Sequence, residues 1–228
     1  MIIDKIEKPR CIINYSSGRY VRSAVRQKQK LDEVGYKDGY LTWLNHYPPG
    51  CYPHDVIPYH FKPMAFFDAY RQGYRNILWM DAPVYPARSL DPIFETIERD
   101  GYLIIRNGWS NGEWTADSAL APLKMSREHS FHEPHAMACV MGFDLSREDV
   151  MIVFNNWLQS ALEAFPGPWI NDKGQASSDS RVLGHRHDQS AISAFAHQAG
   201  WHFTPPDDGK LITYGNQEGY LLYSQPVI

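Results

Sequence analysis

Short apolar runs alternate along the chain with longer amphipathic stretches. "CIINYSSG" (11–18) predicts a strand that runs into a Ser/Gly turn. "YVRSAVRQKQKLDEVG" (20–35) follows with Val21, Ala24, Val25, Leu31 and Val34 at helical spacing and Gly35 as its stop. Residues 36–60 are rich in Tyr, Pro and Gly and predict an irregular connection with one short strand near 41–43. "FKPMAFFDAYRQG" (61–73) predicts a helix opened by Pro63, with Met64, Phe67, Ala69 and Tyr70 as its apolar positions. The run 77–80, "ILWM", then predicts a strand buried on both faces that ends on Asp81.

The second half repeats the alternation. Residues 89–101 predict a helix with Asp91 as cap, Pro92 at the first helical position and Gly101 as the stop. A strand over 102–108, a polar loop over 109–135 and a buried strand over 136–145 come next. Residues 146–165 predict a helix opened by a capping box of Ser146 and Asp149. Its stripe is Val150, Val153, Phe154, Trp157, Leu158, Ala161 and Leu162, which makes Trp157 a core residue. A loop over 166–180, a helix over 187–200 with Asp188 near its start, and small strands in "KLITYG" and "GYLLYS" complete the chain. The pattern predicts an α/β fold, one domain over 1–228, with a mostly parallel central sheet flanked by helices on both faces. Strands 11–15 and 77–80 are expected to be adjacent and parallel.

Composition narrows the classes. The 228 residues carry a formal net charge of −4, which gives no basic footprint for nucleic acid. Aromatics reach 14%, with 7 Trp and 14 Tyr, enough both to fill a core and to stack on sugars. Cys11, Cys51 and Cys139 show no CxxC spacing, so a disulfide scaffold or structural zinc site is not expected and a reducing, cytoplasmic setting is. "MIIDKIEKPRC" has no apolar h-region, and no window is apolar enough to span a membrane; peripheral membrane contact stays open. G-x-G-x-x-G and Walker A sequences are absent, which argues against the standard dinucleotide and P-loop classes.

Four places can carry chemistry. Asp81 stands at a strand's carboxyl end, where open α/β sheets bind ligands. There it can hold a divalent cation, position a sugar hydroxyl or cap a turn, and Pro83 rules out a second carboxylate two residues on. Lys62, at the start of the preceding helix, can neutralise a phosphate or stay solvated. "LGHRHDQS" (183–190) offers His185, His187 and Asp188, able to hold a metal or move a proton, with Asp188 as a plain helix cap as the alternative. "HSFHEPH" (129–135) offers His132, Glu133 and His135, with Glu133 as a possible base; Pro134 prevents a zincin helix.

The stretch "HFKPMAFFDAYRQGYRNILWMDAPVYP", together with "ACVMGF" (138–143) and "HRHDQS" (185–190), resembles glycosyltransferases of the GT-A fold over roughly residues 10–200. In that family the strand ends in a D-x-D motif. Here "WMDAP" keeps Asp81 and has Pro83 in place of the second carboxylate. The resemblance implies a nucleotide-sugar donor, a glycan or other hydroxyl acceptor, and Mn²⁺ or Mg²⁺. It implies a donor half over about 1–90 and an acceptor half over about 91–228. It also implies Asp81 beside the donor and its metal, with Lys62, Tyr15, Ser16, Arg19 and His187 on the donor. His185 would ligate the metal, and Asp188 and Glu133 would serve the chemistry. Two other readings stay open. A metal-dependent hydrolase would use His185, His187, Asp188, His132 and His135. A catalytically inactive sugar or nucleotide binder is the reading that Pro83 favours.

Overall fold

A computed structural model describes residues 8–168, 172–214 and 218–225. Strand β1 (Lys8–Ser16) feeds a 3-10 turn and helix α1 (Val21–Glu33), then β2 (Gly39–Leu44). The irregular segment after β2 leads to α2 (Phe61–Arg71), β3 (Tyr74–Met80), the short β4 (Val84–Pro86), α3 (Asp91–Asp100) and β5 (Tyr102–Ser110). Single turns α4 (Asp117–Leu120) and α5 (Arg127–Ser130) precede β6 (Pro134–Asp144), α6 (Glu148–Gln159), α7 (Ala161–Ala164) and α8 (Lys173–Ala176). Helix α9 (Asp188–Gln198) and the short strands β7 (Ile212–Thr213) and β8 (Leu222–Ser224) follow.

The main sheet runs β2-β1-β3-β6-β5, and β1 is parallel to both β2 and β3, as the apolar runs predict. Four of its five strands run in the same direction, and β6 alone is reversed. β6 pairs antiparallel with β3 on one side and β5 on the other, so the sheet is mixed. The β3–α3–β5 crossover leaves β5 one place away from β3. β6, returning from the 111–133 insertion, fills that slot in the opposite direction. A second sheet, β4-β8-β7, holds the segment after Asp81.

Period-two alternation in the central strands builds two cores. Ile13, Trp79 and Phe143 face Phe66 of α2, Trp157 of α6 and Ile192 of α9. Ile12, Leu78, Met80 and Val140 face Leu31 of α1 and Phe94 and Ile97 of α3. Each fully buried large apolar side chain stabilises the fold by ~1.5–3 kcal/mol relative to exposure. The phase of two helices differs from the apolar pattern. α1 buries Ser23, Ala24, Gln27 and Leu31 and leaves Val25 exposed; α6 ends at Gln159, and Leu162 beyond it is exposed. The Ser146–Asp149 capping box does not form. The Ser146 hydroxyl donates to Asp144, and Asp149 pairs with Arg147. Asp91 is the first residue of α3 rather than its cap, and Gly101 ends that helix at φ +91°. Residues 169–171 of the predicted 166–180 loop lie outside the described residues. Among the described residues no helix is long and apolar enough to cross a membrane, and Cys11, Cys51 and Cys139 are free thiols.

Candidate functional site

The carboxyl ends of β1 and β3 are tied together by polar side chains. Asn14, wholly buried, donates to the Met80 carbonyl at 2.6 Å and accepts from the Ser16 hydroxyl. Gln27 reaches from α1 to donate to the carbonyls of Asp81 at 3.0 Å and Val84 at 2.7 Å. Val84 N–H bonds back to the Asp81 carbonyl, and the Asp81 N–H donates to the Cys139 carbonyl of β6. The turn that carries Asp81 is therefore held from α1, from β6 and from within itself.

Three charged side chains meet at this edge. Lys62, in the first turn of α2, is 4% exposed. Its Nζ donates to the Ala138 carbonyl at 2.8 Å and lies 3.3 Å from Asp188 Oδ2 and 3.5 Å from Asp81 Oδ1. Burial works against its charge, yet Asp188 and Asp81 outweigh burial and raise its pKa, so it stays an ammonium. Trp79 Nε1 donates to Asp81 Oδ1 at 2.7 Å, and the faces of Trp79 and Tyr59 flank the ammonium. Burial pushes the Asp188 carboxyl up to about 6, with Lys62 opposing and Asp81 adding to the rise. One buried cation thus serves two carboxylates, and Asp188 is the deeper of them.

Two cavities share Tyr59, Lys62, Asp81 and Pro83. The first, of about 410 Å³, is aromatic: Tyr15, Tyr20, Tyr47, Phe61 and Trp79 line it together with Ser16. The second, of about 420 Å³, is polar and holds Asp188, Gln189, Arg186, Asn107, Trp109 and Tyr214. Arg186 stacks on Trp114 at 4.3 Å and makes no salt bridge among the described residues; burial lowers its pKa. Trp109 and Tyr214 are exposed rings. Two residues beside the site have left-handed backbone, Tyr59 (φ +60°) and His187 (φ +50°), and their rings lie 5.6 Å apart. Such strain persists where surrounding contacts enforce it. At His187 it turns the chain just before α9, so that Asp188 enters the cleft as the first helical residue rather than as its cap.

The other expected site residues lie elsewhere or serve the fold. Arg19 is exposed and packs on its neighbour Tyr20 rather than lining either cavity. His185 is wholly buried. Its Nε2 meets the Ala164 carbonyl at 3.0 Å and its Nδ1 accepts from Ala116 N–H, so both nitrogens are committed and neither is placed for a metal. Burial lowers its pKa to about 3. His187 is also buried, with Nδ1 at 2.7 Å from the Phe165 carbonyl. Glu133 is outside both cavities. Its carboxylate accepts from Asn111, and burial raises its pKa. It gathers instead with His129 and His197, a set whose ligand atoms lie within 4.8 Å of one another and that can hold a metal ion. His135 bonds Asn107 through Nδ1 and is held neutral by burial, with its pKa lowered to about 3.

Sequence reading missed Gln27, Tyr59, Trp109 and Gln189. Gln27 left a signal, a polar residue between Ala24 and Leu31 on the buried phase of α1. Tyr59 comes from an irregular segment, Trp109 from the exposed end of β5 and Gln189 from a helix buried on most sides, where periodicity is silent.

No protein-family profile and no curated protein matches the sequence. Solved structures do match in fold. The apo form of mouse xyloside xylosyltransferase 1 superposes with a TM-score of 0.55 at 10% identity, over 95% of this chain and 97% of that one. A glycosyltransferase involved in glycosylating the major capsid of PBCV-1 gives 0.51 at 12% identity, over 94% and 91%. The chain has the GT-A-like architecture of these proteins, a mixed sheet flanked by helices.

Proposed function

We propose that the protein transfers a sugar from a nucleotide-sugar donor to a hydroxyl acceptor, in the cleft where Asp81, Lys62 and Asp188 meet. The observation that carries this reading is their convergence at the carboxyl ends of β1 and β3, in a chain that shares its fold with glycosyltransferases over nearly its full length. The aromatic cavity suits the nucleoside, with Tyr15 and Ser16 at its wall; the polar cavity suits the donor sugar and the acceptor, with the Trp109 face as a stacking platform. The donor half of the chain supplies Tyr15, Lys62 and Asp81. The acceptor half supplies Trp109, Arg186 and Asp188.

The chemistry follows from charge. Departure of the nucleoside diphosphate needs positive charge where the negative charge grows. The cleft does not fit a dedicated Mn²⁺ or Mg²⁺ site. Asp81 Oδ1 already accepts from Trp79, Pro83 stands where a second carboxylate would, and Lys62 occupies the space between the two carboxylates. Lys62 and Arg186 are the cations at hand. Asp188, as a carboxylate facing the polar cavity, can stabilise positive charge on the reacting sugar or take the acceptor proton.

The hydrolase reading loses its metal set, because His185 is spent on backbone and the His129–Glu133–His197 group lies outside both cavities. Pro83 keeps the inactive binder as the second reading. A panel of nucleotide sugars, assayed for nucleotide release and for thermal shift, separates the two. Acceptor-dependent release supports the transferase, whereas shifts without turnover for every donor and acceptor would replace it with the binder.

A further inference from the structure

We propose that His129, Glu133 and His197 form a zinc-class metal site that fastens the 111–133 insertion to the C-terminal end of α9. His129 lies in α5 and Glu133 just before β6, four residues on, while His197 is in the last turn of α9. His129 Nε2 stands 3.9 Å from Glu133 Oε1, and the two imidazole centroids are 6.0 Å apart.

The donor set selects the ion. Two imidazoles and one carboxylate suit Zn²⁺ and its neighbours rather than Mg²⁺ or Ca²⁺, which prefer all-oxygen shells. Bonds of about 2.0–2.1 Å would bring the ligand atoms to roughly 3.4 Å from one another. The present spacing, within 4.8 Å, closes to that by movement of His129, whose side chain is 65% exposed.

The surroundings are those of an orienting shell. Glu133 is 2% exposed, and its other oxygen accepts from Asn111 Nδ2, which also donates to the Ser190 carbonyl of α9. Asn111 N–H in turn bonds the Glu133 carbonyl. The buried carboxylate has no Lys or Arg partner among the described residues, and the two histidines are what faces it. Nearby, Gln198 donates to the Leu123 carbonyl, so the same seam is already cross-linked by a side chain. A metal here joins two separate stretches of chain, the 111–133 insertion and α9, and leaves its fourth position for water. Asp188 begins the same helix nine residues earlier, about 13 Å away along its axis, so the ion stabilises the element that carries Asp188 without touching the cleft.

The test uses the full chain, stripped with a chelator, dialysed and titrated with Zn²⁺ by calorimetry and by thermal melting. One equivalent is expected to bind, and the melting temperature to rise by about 5 °C or more at a hundredfold excess over the dissociation constant. Co²⁺ should give the visible absorption of a tetrahedral site, and Mg²⁺ should do neither. His129→Ala and His197→Ala, both at surface-accessible positions, should each weaken Zn²⁺ at least tenfold, and the double variant should lose the equivalent. Undiminished zinc binding by the double variant, a Mg²⁺ shift equal to that of Zn²⁺, or wild-type protein that takes up no zinc would each overturn the site. None of these readings depends on sugar transfer.

Discussion

The Lys62 ammonium lies 3.3 Å from the Asp188 carboxylate, and both side chains are almost wholly removed from water. Breaking a buried pair by deleting one member leaves an uncompensated charge. Lys62→Met should therefore cost about 3–5 kcal/mol of stability at neutral pH, read from the denaturant midpoint. It should cost less below about pH 6, where Asp188 takes up a proton. A variant as stable as wild type at pH 7.5 would show that the pair is not buried as described.

Asp188 titrates in a range that makes pH informative. Its folded pKa of about 6 is above the ordinary carboxyl value of 3.8, so the folded state binds the proton more tightly than the unfolded one. This group's contribution to stability is therefore greatest at pH below its ordinary value, and it declines as pH rises through about 6. Turnover should move the other way, with an acid limb near pH 6 as the carboxylate forms. Asp188→Asn should abolish turnover and lose that stability decline, and because Lys62 keeps Asp81 as a partner at 3.5 Å it should cost less stability at neutral pH than Lys62→Met does. Near-normal turnover in both Asp188→Asn and Asp188→Ser would remove Asp188 from the chemistry.

Gln27 positions the Asp81 turn without reaching the cleft. Gln27→Ala strips the Asp81 and Val84 carbonyls of a donor and should cost about 1–3 kcal/mol. Because the turn then loosens, KM for the donor should rise more than kcat falls. A fall in kcat alone would point to a different role.

His185 should behave as a structural residue. His185→Ala removes a buried ring that bonds two separate backbone groups, so it should lower the melting temperature clearly. Folded protein should keep the wild-type turnover and the wild-type response to metals. Loss of metal binding in this variant would restore His185 as a ligand.

The sequence made β1, β3 and their parallel pairing legible because apolar runs of strand length leave little choice of element. Asp81 and Lys62 were legible as candidates for the same reason, since each sits at the end of a clear element. The antiparallel entry of β6 was not readable, because an apolar run such as 136–145 carries no direction. Nor was the partnership of Glu133. Its local string suggests His132 and His135, but His197, which completes the group, arrives only through the packing of α9. His185 and His187 looked like ligands by their spacing, yet spacing does not reveal that the Ala164 and Phe165 carbonyls already claim them.

The most direct measurement is sugar transfer by chelator-treated protein, with nucleotide release and glycosylated product quantified together across donors. The account predicts acceptor-dependent transfer from at least one nucleotide sugar in EDTA, no more than a small gain with Mn²⁺, and loss of transfer in Asp81→Asn protein that melts as wild type does. Transfer that vanishes in EDTA and returns with Mn²⁺, or that persists unchanged in Asp81→Asn, would contradict it.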